Sequence, residues 1–149
     1  MTLKEKVHIN YQDFISKRIS TLRNMITDLA EDAQNDAKGS AGDKHETALS
    51  MMHLEQEKLN QKLKEVLEHK AILEGIANEQ NVSKVVLGSL VEVEGMYFFV
   101  SCALPKIVVD GHQIIALSSH SPLGKEMLGK SVGQTFGVNA SSFVIQSII

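Results

Sequence analysis

The chain has no tryptophan, one cysteine and two prolines among its 149 residues. A single thiol, Cys102, forms no internal disulfide, which excludes a disulfide scaffold and makes a reducing compartment the expectation. No apolar run approaches the roughly 20 residues that a membrane-spanning helix needs. Met1-Thr2-Leu3-Lys4-Glu5-Lys6 leads into no apolar signal core, so a cytoplasmic protein without membrane contact is expected. An excess of basic charge is missing too. The net charge is −3, which argues against independent binding of DNA or RNA through the chain's own charge. What is present, 43% hydrophobic and 22% charged residues, suffices for a modest core.

These residues are unevenly spread. Residues 1–80 hold 11 of the 15 Lys/Arg and 14 of the 18 Asp/Glu, and so carry the whole net charge. Both prolines (Pro105 and Pro122) and seven of the ten glycines fall in residues 81–149. A change this sharp divides the chain into 1–78 and 79–149, with the polar segment from Gly75 to Asn81 as junction.

The first part reads as two helices. Tyr11, Ile15, Ile19, Leu22, Ile26, Leu29 and Ala33 recur at alternating spacings of four and three, the seam of a helix packed lengthwise on a partner. Past Asp36 the pattern ends in Ala37-Lys38-Gly39-Ser40-Ala41-Gly42. A second, less regular stripe follows: Ala48, Met52, Leu59, Leu63, Val66 and Leu73, with Glu55 and Lys70 at seam-like positions. Two helices joined by a short polar bend fold back as an antiparallel hairpin. At about 1.5 Å per residue, such helices run roughly 40–50 Å.

The second part reads as β structure with one short helix. Strands are expected at 85–87 and 90–93 around Gly88, from Met96 to Cys102 after a turn at Glu94-Gly95, and on either side of the turn pair Asp110-Gly111. Ser121-Pro122 opens a helix that stops at Gly129, with serine as cap and proline at the first helical position. Strands around Phe136 and from Phe143 to Ile149 complete one small sheet. The fold class is therefore α+β: an antiparallel coiled-coil hairpin followed by a small β domain.

Few residues carry chemistry. Cys102 stands in a strand-like run with no catalytic signature, and a buried cysteine is the better reading. The six histidines show no metal-ligand spacing, and Lys58, Lys62 and Lys64 read as a solvated helix face. The bend, near residues 37–47, is more informative. Asp43 and Glu46 stand three apart there, as the N-cap and N3 residues of a capping box do. The same carboxylates could complete a divalent-metal site supplied mainly by another molecule, Mg²⁺ being suited because it takes few protein oxygens. Capping and metal binding are compatible, since four oxygens exceed what a cap uses.

Two stretches carry a family resemblance. Gly42-Asp43-Lys44-His45-Glu46-Thr47-Ala48 is similar to the tip motif Gly-Asp-x-x-Glu-Asn-Ala of the bacterial Gre transcript-cleavage factors (GreA/GreB). The run from Ser121 through Gly129-Lys130 to Gly133 resembles their Ser-Pro-(Leu/Ile)-(Ala/Gly)-x-x-(Leu/Ile)-(Leu/Ile)-Gly-Lys-x-x-Gly. The resemblance spans nearly the whole chain and implies an FKBP-like C-terminal domain. It also implies a factor, not itself an enzyme, that enters the secondary channel of RNA polymerase. There Asp43 and Glu46 would help hold a Mg²⁺ shared with the polymerase, at the 3′ end of backtracked nascent RNA, and stimulate its cleavage. Ser121, Pro122 and Leu123 would dock on the channel rim. Thr47, Ser50, His120 and Gln134 depart from the family pattern. Relatives that occupy the channel and modulate or inhibit without cleavage define the alternative.

Overall fold

The computed structural model describes residues 1–37, 43–77, 82–138 and 140–149, with side chains for all of these but 36, 37, 43–45 and 138. Two long helices come first, α1 (Leu3–Ala37) and α2 (Asp43–Glu74). The seven strands and a third helix follow in one run: β1 (Leu90–Val93), β2 (Met96–Ser101), β3 (Ile107–Val109), β4 (His112–Ser118), α3 (Pro122–Met127), β5 (Thr135–Val138), β6 (Ser141–Val144) and β7 (Ser147–Ile148). By packing the chain forms two compact units, Asp13–Lys70 and the pair of segments Met1–Gln12 with Ala71–Ile149. Of the junction expected from Gly75 to Asn81, residues 78–81 lie outside the described residues.

Helix α1 starts with a capping box that the sequence reading overlooked. The Glu5 N–H donates to Thr2 Oγ1, and the Thr2 N–H donates to Glu5 Oε2, both at 3.2 Å. In the helical unit the expected stripe is turned inward. Ile15, Ile19 and Leu22 of α1 and Leu59 of α2 are buried, and Ile26, Leu29 and Ala33 are half-buried. On α2 the stripe runs through Met52, Gln56, Leu59, Leu63, Val66 and His69. Glu55 and Lys70, which stand at seam-like positions in the sequence, are exposed, displaced by their neighbours Gln56 and His69. Desolvation favours the choice, because an ion loses several kcal/mol on leaving water.

The β unit is a mixed five-stranded sheet of order β3-β4-β2-β1-β7, with β2 and β4 parallel and every other pair antiparallel. Its two hairpins turn on Glu94-Gly95 and Asp110-Gly111, all four residues at positive φ as a two-residue turn of this hand requires. One sheet face, with Val91, Val93, Phe98, Val100 and Leu117, buries against Met127 of α3, Phe136 of β5 and Ile145. Phe98, Phe136 and Phe143 meet there with ring centroids 5.5–6.0 Å apart. On the other face, Phe99 is fully buried and the Tyr11 ring of α1 stacks on it at 5.8 Å. The Tyr11 hydroxyl donates to the Pro105 carbonyl at 2.9 Å, and His8 Nε2 lies 2.6 Å from the Leu73 carbonyl oxygen. The first turns of α1 therefore belong to this unit's core.

Two strand expectations are corrected. Residues 85–87 form no strand: Val85 exchanges backbone hydrogen bonds with Gly129 and Lys130, after which the chain turns at Gly88. The last strand is not continuous, and the described residues form two sheets instead of one. Ile145 is drawn into the core and the Gln146 N–H bonds to the Glu92 carbonyl. That break sends β6 to pair with β5 and β7 to pair with β1. No helix among the described residues is long and apolar enough to cross a membrane.

Candidate functional site

Asp43 is the first residue of α2, and Glu46 lies in its first turn. Positions three apart on a helix are neighbours. Residues 38–42, where a bend is expected, and the Asp43 side chain lie outside the described residues, so the expected capping box does as well. The Glu46 carboxylate is exposed and makes no hydrogen bond or ion pair among the described residues. As donors the two residues fit Mg²⁺, a hard ion served by carboxylate oxygens, although an octahedral shell needs more ligands than they supply. Among the described residues no group of three or more His, Cys, Asp or Glu is arranged to hold a metal.

The second candidate, Ser121-Pro122-Leu123, is built by a network around one hydroxyl. Ser121 Oγ accepts the Gly124 N–H at 3.0 Å and donates to the Ser118 carbonyl at 2.6 Å. The Ser118 carbonyl also receives the Ser121 N–H at 3.1 Å. Serine therefore caps α3 with proline at its first position, as the sequence indicates. A Cβ on Gly124 would run into the Ser118 carbonyl oxygen, so this close approach requires glycine. Pro122 is exposed, whereas Leu123 is half-buried and packs against the core. Gln134, one of the departures from the Gre pattern, uses its side-chain oxygen to accept the Ser131 N–H at 2.7 Å. An acid at that position could accept the same bond.

Other titratable groups fall into place around this frame. Cys102 is buried, and its thiol is pushed up to about 11, chiefly by desolvation. It is therefore a poor nucleophile near neutrality. Tyr97 donates to Glu92 Oε2 at 2.6 Å, and that bond is the main cause that pushes its phenol up to about 12. His112 stands edge-on to the Tyr97 ring at 5.2 Å. Sequence reasoning missed this cluster because its members meet across three strands.

It also missed a groove within the helical unit. Met25, Asp28, Leu29 and Asp32 of α1 and Glu55 and Leu59 of α2 line an open depression of about 260 Å³. The signal available in the sequence was Glu55 beside the seam.

No family model and no curated protein sequence matches the chain. Among solved structures the chain is similar to GreA factor homolog 1 (Gfh1) of Thermus thermophilus, at 19% identity, with a TM-score of 0.37 and coverage of 93% of this chain and 94% of that one. It is similar also to Gfh1 of Thermus aquaticus, at 18% identity and a TM-score of 0.35, covering 91% and 92% of the two chains.

Proposed function

We propose that the protein is a Gre-like accessory factor of RNA polymerase whose helical hairpin carries Asp43 and Glu46 into the secondary channel. The observation that carries this reading is the placement of both residues in the first turn of α2. The Gre-like run from Ser121 to Gly133, which opens α3 in the β unit, supports it. In the complex, Asp43 and Glu46 would contribute oxygen ligands to a Mg²⁺ held jointly with the polymerase. Mg²⁺ at such a site supplies Lewis acidity and a more acidic water for phosphodiester hydrolysis. The chain's own residues position charge, and the exposed Pro122 edge of the α3 loop docks on the channel rim. The factor acts in the cytoplasm and is not an enzyme by itself. Its net negative charge suits it to a nucleic acid already held by the partner.

Halted elongation complexes of the cognate polymerase test the reading. The wild-type protein should shorten the nascent RNA from its 3′ end, and Asp43→Ala and Glu46→Ala should lose that activity while still binding the polymerase. Cleavage by both variants at the wild-type rate would sink the metal role. A second reading, a channel-bound regulator that does not stimulate cleavage, is favoured by Thr47 and Ser50 beside the tip. It predicts slowed elongation and no cleavage by any of the three proteins.

A further inference from the structure

The groove on the helical hairpin has features that neither the seam nor the tip requires. Met25, Asp28, Leu29 and Asp32 form a stripe along α1, and Glu55 and Leu59 face it from α2. Its apolar lining is partly open, since Met25 is 44% exposed. On α2, Met51, one turn before Glu55, is 66% exposed, and Leu54, the residue before Glu55, is 58% exposed. Large side chains this exposed, next to one another, mark an interaction surface more than a packing remnant.

Charge narrows the occupant. Asp28, Asp32 and Glu55 make no hydrogen bond or ion pair among the described residues, and no Lys or Arg lines the groove. A nucleic acid would be repelled. A metal ion is disfavoured, because the three carboxylates are not arranged to hold one. A small molecule is a poor fit as well, since pockets that enclose one usually measure roughly 300–1,000 Å³ and this depression is smaller and open. An apolar floor with a rim of unpaired carboxylates complements a helix that carries leucine-like anchors flanked by Lys or Arg.

We propose that this groove docks a basic, leucine-bearing helical segment of a partner protein, with Asp28, Asp32 and Glu55 setting its charge preference. The proposal does not depend on the cleavage role of Asp43 and Glu46.

The test uses the full chain and a fluorescein-labelled amphipathic peptide of leucine and lysine, about four helical turns long. Its twin carries glutamate for every lysine. Anisotropy should show binding of the lysine peptide, weakened about tenfold or more in the variant Asp28→Asn/Asp32→Asn/Glu55→Gln. A second variant, Glu57→Gln/Glu65→Gln/Glu68→Gln, changes the net charge equally at exposed positions outside the groove and should bind within about twofold of wild type. Met51→Gln/Leu54→Gln should weaken binding as well, and all three variants should keep the wild-type circular dichroism. Salt of about 0.5 M should loosen the complex. Equal weakening by the two carboxylate variants, equal binding of the glutamate peptide, displacement by millimolar Mg²⁺ alone, or no binding of the lysine peptide would each overturn the proposal.

Discussion

Ser121→Ala removes a single oxygen and tests whether one hydroxyl holds the α3 loop. That oxygen accepts the Gly124 N–H at 3.0 Å and donates to the Ser118 carbonyl at 2.6 Å. Loss of a serine N-cap costs about 1 kcal/mol, within a range of roughly 0.5–2. Gly124 is buried, so its N–H would lose its partner away from water and the cost belongs in the upper part of that range. The Ser118 carbonyl keeps the Ser121 N–H at 3.1 Å, and the second lost bond therefore adds only about 0.5 kcal/mol. The sum is about 2 kcal/mol, or a fall in Tm of roughly 4–8 °C for a chain of this size. Denaturant and thermal melts of wild type, Ser121→Ala and Ser121→Asn provide the measurement, asparagine being a comparable cap. The reasoning fails if Ser121→Ala lies within about 0.3 kcal/mol of wild type, or if asparagine recovers nothing.

Three further outcomes follow from the packing of the β unit. Gly88→Ala places a Cβ at φ +94 and 2.7 Å from Ile76 Cγ2, and should cost roughly 1–3 kcal/mol in denaturant melts. Gly95→Ala, at φ +80 with open space around it, should cost less, and equal losses would refute the steric part. Tyr11→Phe keeps the ring but removes the hydroxyl with its bond to Pro105, and should cost about 1 kcal/mol. Tyr11→Ala also empties the stack on Phe99 and should cost about 3–5 kcal/mol, and similar losses for both would deny the ring its role. The chain has two tyrosines and no tryptophan, so absorbance at long ultraviolet wavelength follows ionisation of the phenols alone. Tyr97 is raised to about 12 and Tyr11 is raised as well, so the native protein should show no half-titration near 10, whereas Glu92→Ala should bring one phenol down. Because both folded values are raised, their contribution to stability is complete below the ordinary tyrosine value and fades as the pH climbs through about 12. Native half-titration near 10 would contradict the Tyr97–Glu92 bond.

The candidate sites were legible to different depths. The α3 cap is a local pattern, since serine, proline and glycine within four residues prescribe a turn, a fixed φ and a close approach. The Asp43–Glu46 pair was legible only as a position, the opening of α2. The groove was not legible, because Glu55 gains its meaning from Asp28 and Asp32 on another helix. The Glu92–Tyr97 bond was hidden for a related reason. A glutamate and a tyrosine five residues apart become partners only when the Glu94-Gly95 turn folds their strands together.

From its sequence alone, this chain specifies two long amphipathic helices, the Glu94-Gly95 and Asp110-Gly111 turns and the capped start of α3. Each rests on periodicity or on backbone freedom within a few residues, which needs no knowledge of the rest of the chain. Tertiary structure decided which neighbour entered the seam, Gln56 or Glu55, and where the last strand broke, at Ile145-Gln146. It also decided that Tyr11 would stack on Phe99. Those outcomes depend on desolvation and on pairing between distant segments, and such energies exist only once the partners have met.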